Sequence, residues 1–207
     1  MGHRLRYFAS MMTRITLAAA LVLSLAGAAP AQAPPAAQAP EEQLVKVAID
    51  TAAGRIVVAL DKGRAPVTTA NFLAYVDSGK FDGEGFYRAM PLTGGGLIQG
   101  GITSDGRKLA KPIAHEPRSK TGLTHSAGTI SMASAAPGQA RADFFILTTD
   151  EPSFDTSFAP FGKVVEGIDV VKAILAAPVS ATKGDGAMKG QMLDPAVKIR
   201  KAARLPD

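Results

Sequence analysis

The stretch FYRAMPLTGGGLIQGG, residues 86–101, places two short apolar runs on either side of three consecutive glycines and carries one arginine, Arg88. Such runs joined by a glycine-rich turn are typical of two antiparallel β-strands. The glycines lack phosphate-binding spacing, because no lysine follows them as in a P-loop and Gln99 replaces the third glycine of a dinucleotide fingerprint. The stretch therefore predicts a tight turn between strands, not a phosphate site.

Strand-like segments continue on both sides of this stretch. Upstream, the runs LVKVAID and GRIVVALD are separated by a turn at residues 51–54 and predict a β-hairpin. Downstream, GTISMA, FFILTT, FGKVVE and AVKIRKA are further short runs of the same kind. Many short strands indicate a closed antiparallel barrel, an architecture that leaves no strand edge free.

Only two segments have helical spacing. The first, APVTTANFLAYVDSGKF, has Pro66 suited to a first helical turn and Gly79 as its stop. The second, GIDVVKAILAAP, ends at Pro178. Its apolar face consists of Ile168, Val171, Ile174 and Leu175. Residues 179–193, which are rich in Gly, Lys and Met, are expected to form an exposed loop.

The N-terminus has the layout of a secretory signal peptide, with three arginines before an apolar run at residues 15–26 and small residues after it. We expect cleavage after Ala28 and export to the periplasm; if residues 1–28 stay uncleaved, they form a membrane anchor instead. Residues 29–43 consist almost entirely of Ala, Pro, Gln and Glu and predict a flexible tether. Residues 44–207 have the size of one folded domain.

Composition excludes several function classes. Removing the first 28 residues takes three of the 23 basic residues and none of the 18 acidic ones, so the formal charge falls from +5 to +2. This small surplus, with no basic cluster and no Trp, argues against nucleic-acid binding. The absence of cysteine excludes disulfides, thiolate metal sites and thiol nucleophiles.

Hydrolytic and metal-dependent chemistry also lack their usual signals. No Gly-x-Ser-x-Gly pentapeptide occurs, so a serine nucleophile on a strained turn is not indicated. Beyond the signal segment only His115 and His125 remain, without paired-ligand spacing, so neither a metal site nor a cofactor is predicted. Both histidines are expected to make ordinary hydrogen bonds.

Arg88 is the remaining candidate. In a regular strand it shares a face with Phe86 and Met90, an apolar setting for a charged side chain. The alternative is a surface arginine whose aliphatic stem packs on that face. Because the next strand supplies Leu97 and Gln99 on one face, we expect Arg88 to lie on a partly desolvated apolar surface that carries a few polar groups.

The order FYRAMP, LIQGG, GTISMA, DFFILTT and FDTSFAPFGKVVEGIDVV resembles the cyclophilin family of peptidyl-prolyl isomerases, and the resemblance runs from about Val45 to the C-terminus. It implies a mainly β fold, a closed eight-stranded antiparallel barrel capped by two α-helices. It also implies a substrate site on the outer face of the barrel. Proline-containing polypeptides are the implied partners, and a monomer is expected.

The resemblance also implies roles for individual residues. Arg88 matches the catalytic arginine and Gln99 the active-site glutamine of the family. The implied substrate-binding residues are Phe145 at the floor of the proline pocket, Leu97, Ala133, Ser134, Phe154 and Phe158.

Several of these positions depart from the family pattern. Gly96 stands where a pocket phenylalanine is usual, Ser153 where an aromatic is usual, and Phe158 where a histidine is usual. Ser134 replaces asparagine and Asp143 replaces glutamine. The segment between Arg88 and Gln99 is three residues longer than usual, and it is open whether Leu92 or another residue fills the gap at Gly96.

Two functions remain open from the sequence. The first is an exported prolyl isomerase that assists the folding of exported proteins and needs no metal or cofactor. The second is a non-catalytic module or chaperone that binds proline-containing segments. Arg88, Gln99 and Phe145 favour the first, whereas the departures at Gly96, Ser153 and Phe158 favour the second.

Overall fold

The computed structural model of the chain describes residues 41–206. The predicted signal peptide, its cleavage site and most of the predicted tether lie outside the described residues. At the start of the described part, the Gln43 carbonyl accepts a hydrogen bond from the Lys62 N–H at 2.8 Å, and Glu42 pairs with Arg64 at 3.2 Å.

The described chain is mainly β, with every strand pairing antiparallel. The strands are β1 Leu44–Thr51, β2 Gly54–Asp61, β3 Gly85–Leu92, β4 Gly95–Gly101, β5 Thr129–Met132, β6 Phe144–Leu147, β7 Ala159–Glu166, β8 Val179–Ser180 and β9 Met192–Arg204. The helices are α1 Pro66–Asp77, α2 Arg118–Thr121 and α3 Ile168–Leu175.

Eight of the strands close into a barrel. Their order is β1-β2-β7-β5-β6-β4-β3-β9, and β9 pairs back to β1. The two-residue strand β8 pairs only with β9 and lies outside this ring. The predicted eight-stranded barrel is confirmed, and the structure adds the four-residue helix α2 to the two helices that were expected.

The predicted β1–β2 hairpin forms with Thr51 opposite Gly54 and two residues in the turn. The Thr51 hydroxyl donates to the Gly54 carbonyl at 2.7 Å and accepts from the Ala53 N–H at 3.0 Å. These bonds satisfy backbone groups that the ladder leaves free at the turn.

Helix α1 begins at Pro66 as predicted, and Gly79, just beyond its end, has a φ of +63°. Its first turn is capped from a distant segment, since the N–H groups of Val67 and Thr68 donate to the carboxylate of Glu116 at 3.1 and 2.7 Å. A negative group suits the positive end of a helix. Glu116 therefore ties the 102–117 connection to α1.

The barrel interior and the inner face of α1 form one apolar core. Five phenylalanines pack there with ring centroids 5.1 to 5.6 Å apart. They are Phe72, Phe81, Phe86, Phe144 and Phe161. Because this core fills the barrel, a substrate site can lie only on its surface.

Helix α3 packs against β2, β3 and β4. Val171 and Ile174 are its buried residues, while Ile168 and Leu175 are partly buried against the core, so the predicted apolar face is confirmed. The loop predicted at residues 179–193 is shorter in the structure, because β8 and the start of β9 occupy its two ends. Among residues 41–206, no helix has the length and apolar character that crossing a membrane requires.

Candidate active site

A β-bulge in β3 decides which side chains reach the outer face. Phe86 pairs with Gly100, but the next pairing is Arg88 with Gln99, so Tyr87 is the extra residue. The prediction that Arg88 shares a face with Phe86 is therefore wrong: Phe86 is fully buried in the core, whereas Arg88 and Met90 face outward. The bulge inverts the alternation between residues 86 and 88.

The Arg88 guanidinium is half-buried and held by three neutral acceptors. Nε donates to Gln191 Oε1 at 2.8 Å, Nη1 donates to Gln99 Oε1 at 2.9 Å, and Nη2 lies 3.0 Å from Met90 Sδ. In the described part of the chain it forms no ion pair with a carboxylate. Burial lowers the pKa of Arg88, but a guanidinium stays charged in proteins.

A guanidinium has five N–H donors, and three of those of Arg88 are used. One hydrogen on Nη1 and one on Nη2 are left, and they form a planar fork. The fork is therefore oriented by its neighbours while its charge is not neutralised by them. It is available to a ligand that brings a hydrogen-bond acceptor.

The fork borders a pocket of about 480 Å³ on the outer face of β3, β4 and β6. All eight predicted site residues line it: Arg88, Leu97, Gln99, Ala133, Ser134, Phe145, Phe154 and Phe158. The sequence reasoning missed Tyr87, Met90, Ala135, Asp143 and Met188 as lining residues. Met90 was placed on the correct face but was not assigned to the site.

The apolar part of the pocket is a small cluster separate from the barrel core. Leu97, Phe145 and Leu147 are its buried members. The rings of Phe154 and Phe158 lie edge-on to Phe145, with centroids 5.8 and 5.2 Å away, and to each other at 5.1 Å. Such an arrangement forms a rigid aromatic wall beside the floor.

The departure at Gly96 leaves no gap in this wall. A Cβ at this position would lie 2.5 Å from the Met90 carbonyl oxygen and 2.8 Å from Leu175 Cδ1, so no side chain fits there. Leu92 packs on the Phe145 cluster, but Met90 is the residue of this hairpin that lines the pocket. The exposed Ser153 does not line it.

A Ser-His-Asp arrangement lies behind the floor. His125 Nδ1 is 2.8 Å from Asp155 Oδ1, and its Nε2 is 2.9 Å from Ser131 Oγ. Ser131 and His125 are 0% and 1% exposed, so no substrate reaches the hydroxyl and the group supports no hydrolysis. The imidazole stacks on Phe145 with centroids 5.9 Å apart, and burial lowers the pKa of His125.

His125 makes the ordinary hydrogen bonds that were expected, but His115 does not, because its Nε2 is buried without a partner in the described residues. Within residues 41–206, no three His, Asp or Glu side chains cluster as a metal site.

Gln191 and Met188 come from the connection between β8 and β9, which the sequence had suggested is only an exposed loop. Its irregular composition gives no periodic signal that would place one residue against Arg88. Tyr87 was missed for another reason, since a bulge is not visible in an alternating pattern. Together these residues complete a site that can hold a small apolar ring and donate two hydrogen bonds beside it.

Sequence comparison matches the chain to one protein family. The sequence profile of the family "Cyclophilin type peptidyl-prolyl cis-trans isomerase/CLD" matches residues 44–203. A relative from Dickeya dadantii, peptidyl-prolyl cis-trans isomerase A, is 36% identical over 171 residues, which cover 79% of this chain and 85% of the relative. A second, peptidyl-prolyl cis-trans isomerase cyp18 of Streptomyces antibioticus, is 36% identical over 148 residues, or 67% of this chain and 87% of the relative.

A solved structure has the same fold. The cyclophilin-type isomerase of Cryptosporidium parvum, crystallised in the presence of the dipeptide Ala-Pro, superposes with a TM-score of 0.66 at 23% identity. The superposition covers 78% of this chain and 99% of that one.

Proposed function

Because the chain belongs to the cyclophilin-type family of peptidyl-prolyl cis-trans isomerases, we propose that it turns X-Pro bonds of exported proteins at the Arg88 pocket and so assists their folding. Isomerase activity follows from family membership. The residue roles, the exported clients and the location are the proposal.

The barrier that the protein must lower is the barrier to rotation about the X-Pro bond. Amide resonance opposes rotation about an X-Pro bond with about 18–20 kcal/mol, so uncatalysed exchange takes tens to hundreds of seconds. In the twisted state the proline nitrogen loses resonance and gains a lone pair. A donor aimed at that nitrogen stabilises the twisted state more than the planar one, and this difference is catalysis.

Arg88 supplies that donor. Its fork is partly desolvated, held by Gln99, Gln191 and Met90, and keeps two hydrogens free. Because partial burial strengthens electrostatic contacts and the fork is already oriented, little reorganisation is needed during the twist. The reaction requires no nucleophile, no proton transfer and no cofactor.

The aromatic cluster holds the proline ring while the preceding residue turns. Phe145 forms the floor, with Leu97, Phe154 and Phe158 around it. Ala133 and Ser134 line the neighbouring rim, where they contact the substrate backbone. The Ala-Pro dipeptide present in the crystals of the Cryptosporidium relative supports proline-containing peptides as ligands. The oriented Arg88 fork beside this wall favours the isomerase over the alternative of a non-catalytic binding module.

The observation that carries the residue roles is the half-buried guanidinium without a carboxylate partner beside an apolar pocket. Arg88→Ala and Arg88→Lys are expected to lower kcat/KM for an X-Pro peptide about ten- to a hundredfold, the effect of one oriented donor. Arg55→Ala, which removes a surface arginine paired with Asp50, is the control. Unchanged catalysis by a folded Arg88→Ala protein would exclude this role.

Export is tested separately. The arginine-flanked apolar run before Ala28 supports a cleaved signal, and such a protein meets its clients while they fold outside the cytoplasm. Expressed with its own N-terminus in a Gram-negative bacterium, the protein is expected in the periplasmic fraction as a monomer beginning at Ala29. An unprocessed chain in the membrane fraction would instead favour the anchor.

A further inference from the structure

Tyr87 lines the same pocket as Arg88 and Gln99, yet the reaction described above does not use it. Tyr87 reaches the outer face because the bulge in β3 gives it the same side of the sheet as Arg88. Its hydroxyl accepts a hydrogen bond from Gln99 Nε2 at 2.7 Å. Tyr87 therefore contacts the opposite end of the amide that holds Arg88.

The direction of these hydrogen bonds is fixed by chemistry. A guanidinium only donates, so the Gln99 atom 2.9 Å from Arg88 Nη1 is the amide oxygen. The amide nitrogen then faces Tyr87, whose oxygen accepts and whose proton is free to donate onward.

We propose that Tyr87 is a positioning residue that fixes the orientation of the Gln99 amide and thereby the direction of the Arg88 fork. Without the Tyr87 oxygen, the amide gains a second orientation in which its nitrogen faces the guanidinium. Two donors then oppose each other, and Arg88 loses one of its three contacts. The inference rests on the proposed roles of Arg88 and Gln99.

A double-mutant cycle in the otherwise unchanged chain tests this. Tyr87→Phe removes only the hydroxyl and is expected to lower kcat about fivefold, as for one lost hydrogen bond, with KM within about twofold. In a Gln99→Ala background the same change is expected to have no further effect, because Tyr87 acts through Gln99. NMR exchange spectroscopy on an X-Pro peptide at several concentrations separates kcat from KM.

Tyr75→Phe is the matched control. It removes a hydroxyl on α1 that accepts from the Ala110 N–H at 2.8 Å and does not line the pocket, and is expected to keep the wild-type kcat. In NMR spectra the Arg88 Nη–H signals are expected to shift or broaden in Tyr87→Phe and to stay in place in Tyr75→Phe.

An unchanged kcat in Tyr87→Phe, or the same loss in both Gln99 backgrounds, overturns the positioning role. If Gln99→Ala and Arg88→Ala keep full activity, the proposed catalytic roles fall, and the inference falls with them. The two failures are thus distinguishable.

Discussion

The environment of Arg88 shows why neutral side chains suit an oriented catalytic charge. A carboxylate partner would form a bidentate pair with the guanidinium and occupy the hydrogens that a substrate needs. Amide oxygens and a thioether hold one hydrogen each and leave the positive charge uncompensated. The Arg88 guanidinium is therefore held in one orientation, and its positive charge can still attract the lone pair that develops on the proline nitrogen.

Gln191 gives the first prediction at this scale. It accepts from Arg88 Nε at 2.8 Å and belongs to the β8–β9 connection. Gln191→Ala is expected to lower kcat/KM about threefold to tenfold, because the guanidinium gains freedom to rotate away from the pocket. Peptide isomerisation assays measure this directly.

A charged replacement at position 191 separates the effect of orienting the Arg88 guanidinium from the effect of neutralising its charge. Gln191→Glu keeps an acceptor but adds a carboxylate beside Arg88, and it is expected to impair catalysis at least as much as the alanine variant. Lys189→Ala, an exposed change in the same connection, is the control. If Gln191→Glu were as active as wild type, the uncompensated charge would not be what matters.

At the scale of elements, local patterns predicted most of the barrel. β1 and β2 were found from β-branched runs on either side of a turn, and α1 from its proline start and glycine stop, because these signals depend on neighbours in the sequence. The bulge at Tyr87 depends instead on β4 and β9, which pair with β3 from both sides. No local pattern records such a register shift, so Phe86 was placed on the wrong face.

The residues of the candidate site also divide into those that the sequence predicts and those that depend on distant contacts. The eight residues carried over from the family resemblance all line one pocket. Gln191 and Met188 were missed because they come from a connection whose position is set by its pairing with distant strands and not by its own composition. Glu116, which caps α1 from 48 or more residues away, was likewise invisible as a cap.

Glu116 provides the prediction at this scale. Its carboxylate accepts from two N–H groups in the first turn of α1 and is 8% exposed. Glu116→Ala is expected to lower the free energy of unfolding by about 1–3 kcal/mol, since a helix cap is lost and buried donors lose their partner. Urea unfolding followed by circular dichroism measures the change.

The matched control is an acidic residue in the first turn of the other long helix. Asp169 of α3 is 94% exposed, and the only ion pair that it forms within residues 41–206, with Lys172, is 4.0 Å long. Asp169→Ala is expected to change stability by less than about 0.5 kcal/mol. A similar loss in both variants would mean that general charge, not the buried cap, stabilises α1.

At the scale of the whole molecule, the core of the barrel and the catalytic pocket consist of different residues. The interior core and the Phe145 cluster share no residues, so the pocket is built on the outside of a separately packed barrel. The link between them is the buried group of Ser131, His125 and Asp155, which lies under Phe145 and bonds across the connection to β5. A change in the protonation state of this group is therefore expected to change the free energy of unfolding.

The last prediction concerns pH. Burial lowers the pKa of His125 below its usual 6.5, so between these two values the unfolded chain binds more protons than the folded one. The free energy of unfolding must then rise with pH in this window: the contribution of His125 is complete above about pH 6.5 and is lost as the pH falls through the lowered pKa. The slope is at most about 1.4 kcal/mol per pH unit for one histidine.

Other groups also contribute to the pH dependence of the free energy of unfolding. Despite burial, hydrogen bonds from His125 hold the pKa of Asp155 below 3.8, so its contribution is lost only at lower pH. Burial raises the pKa of Asp143 above its usual 3.8, so the effect of Asp143 is opposite to that of His125. Between 3.8 and the raised pKa the folded chain binds more protons, and the free energy of unfolding falls as the pH rises. His115 adds a smaller part, because burial lowers its pKa too but the side chain is more exposed than that of His125.

Urea titrations of wild type, His115→Gln and His125→Gln at pH values from 5.5 to 7.5 separate the contribution of each histidine. Wild type and His115→Gln are expected to lose stability on acidification, whereas His125→Gln starts from a lower stability but has a much flatter profile. The neutral amide keeps hydrogen-bonding atoms near Asp155 and Ser131 but binds no proton. An equally steep loss in His125→Gln would show that the proton is taken up elsewhere, and the buried imidazole would then have no part in the acid sensitivity of the fold.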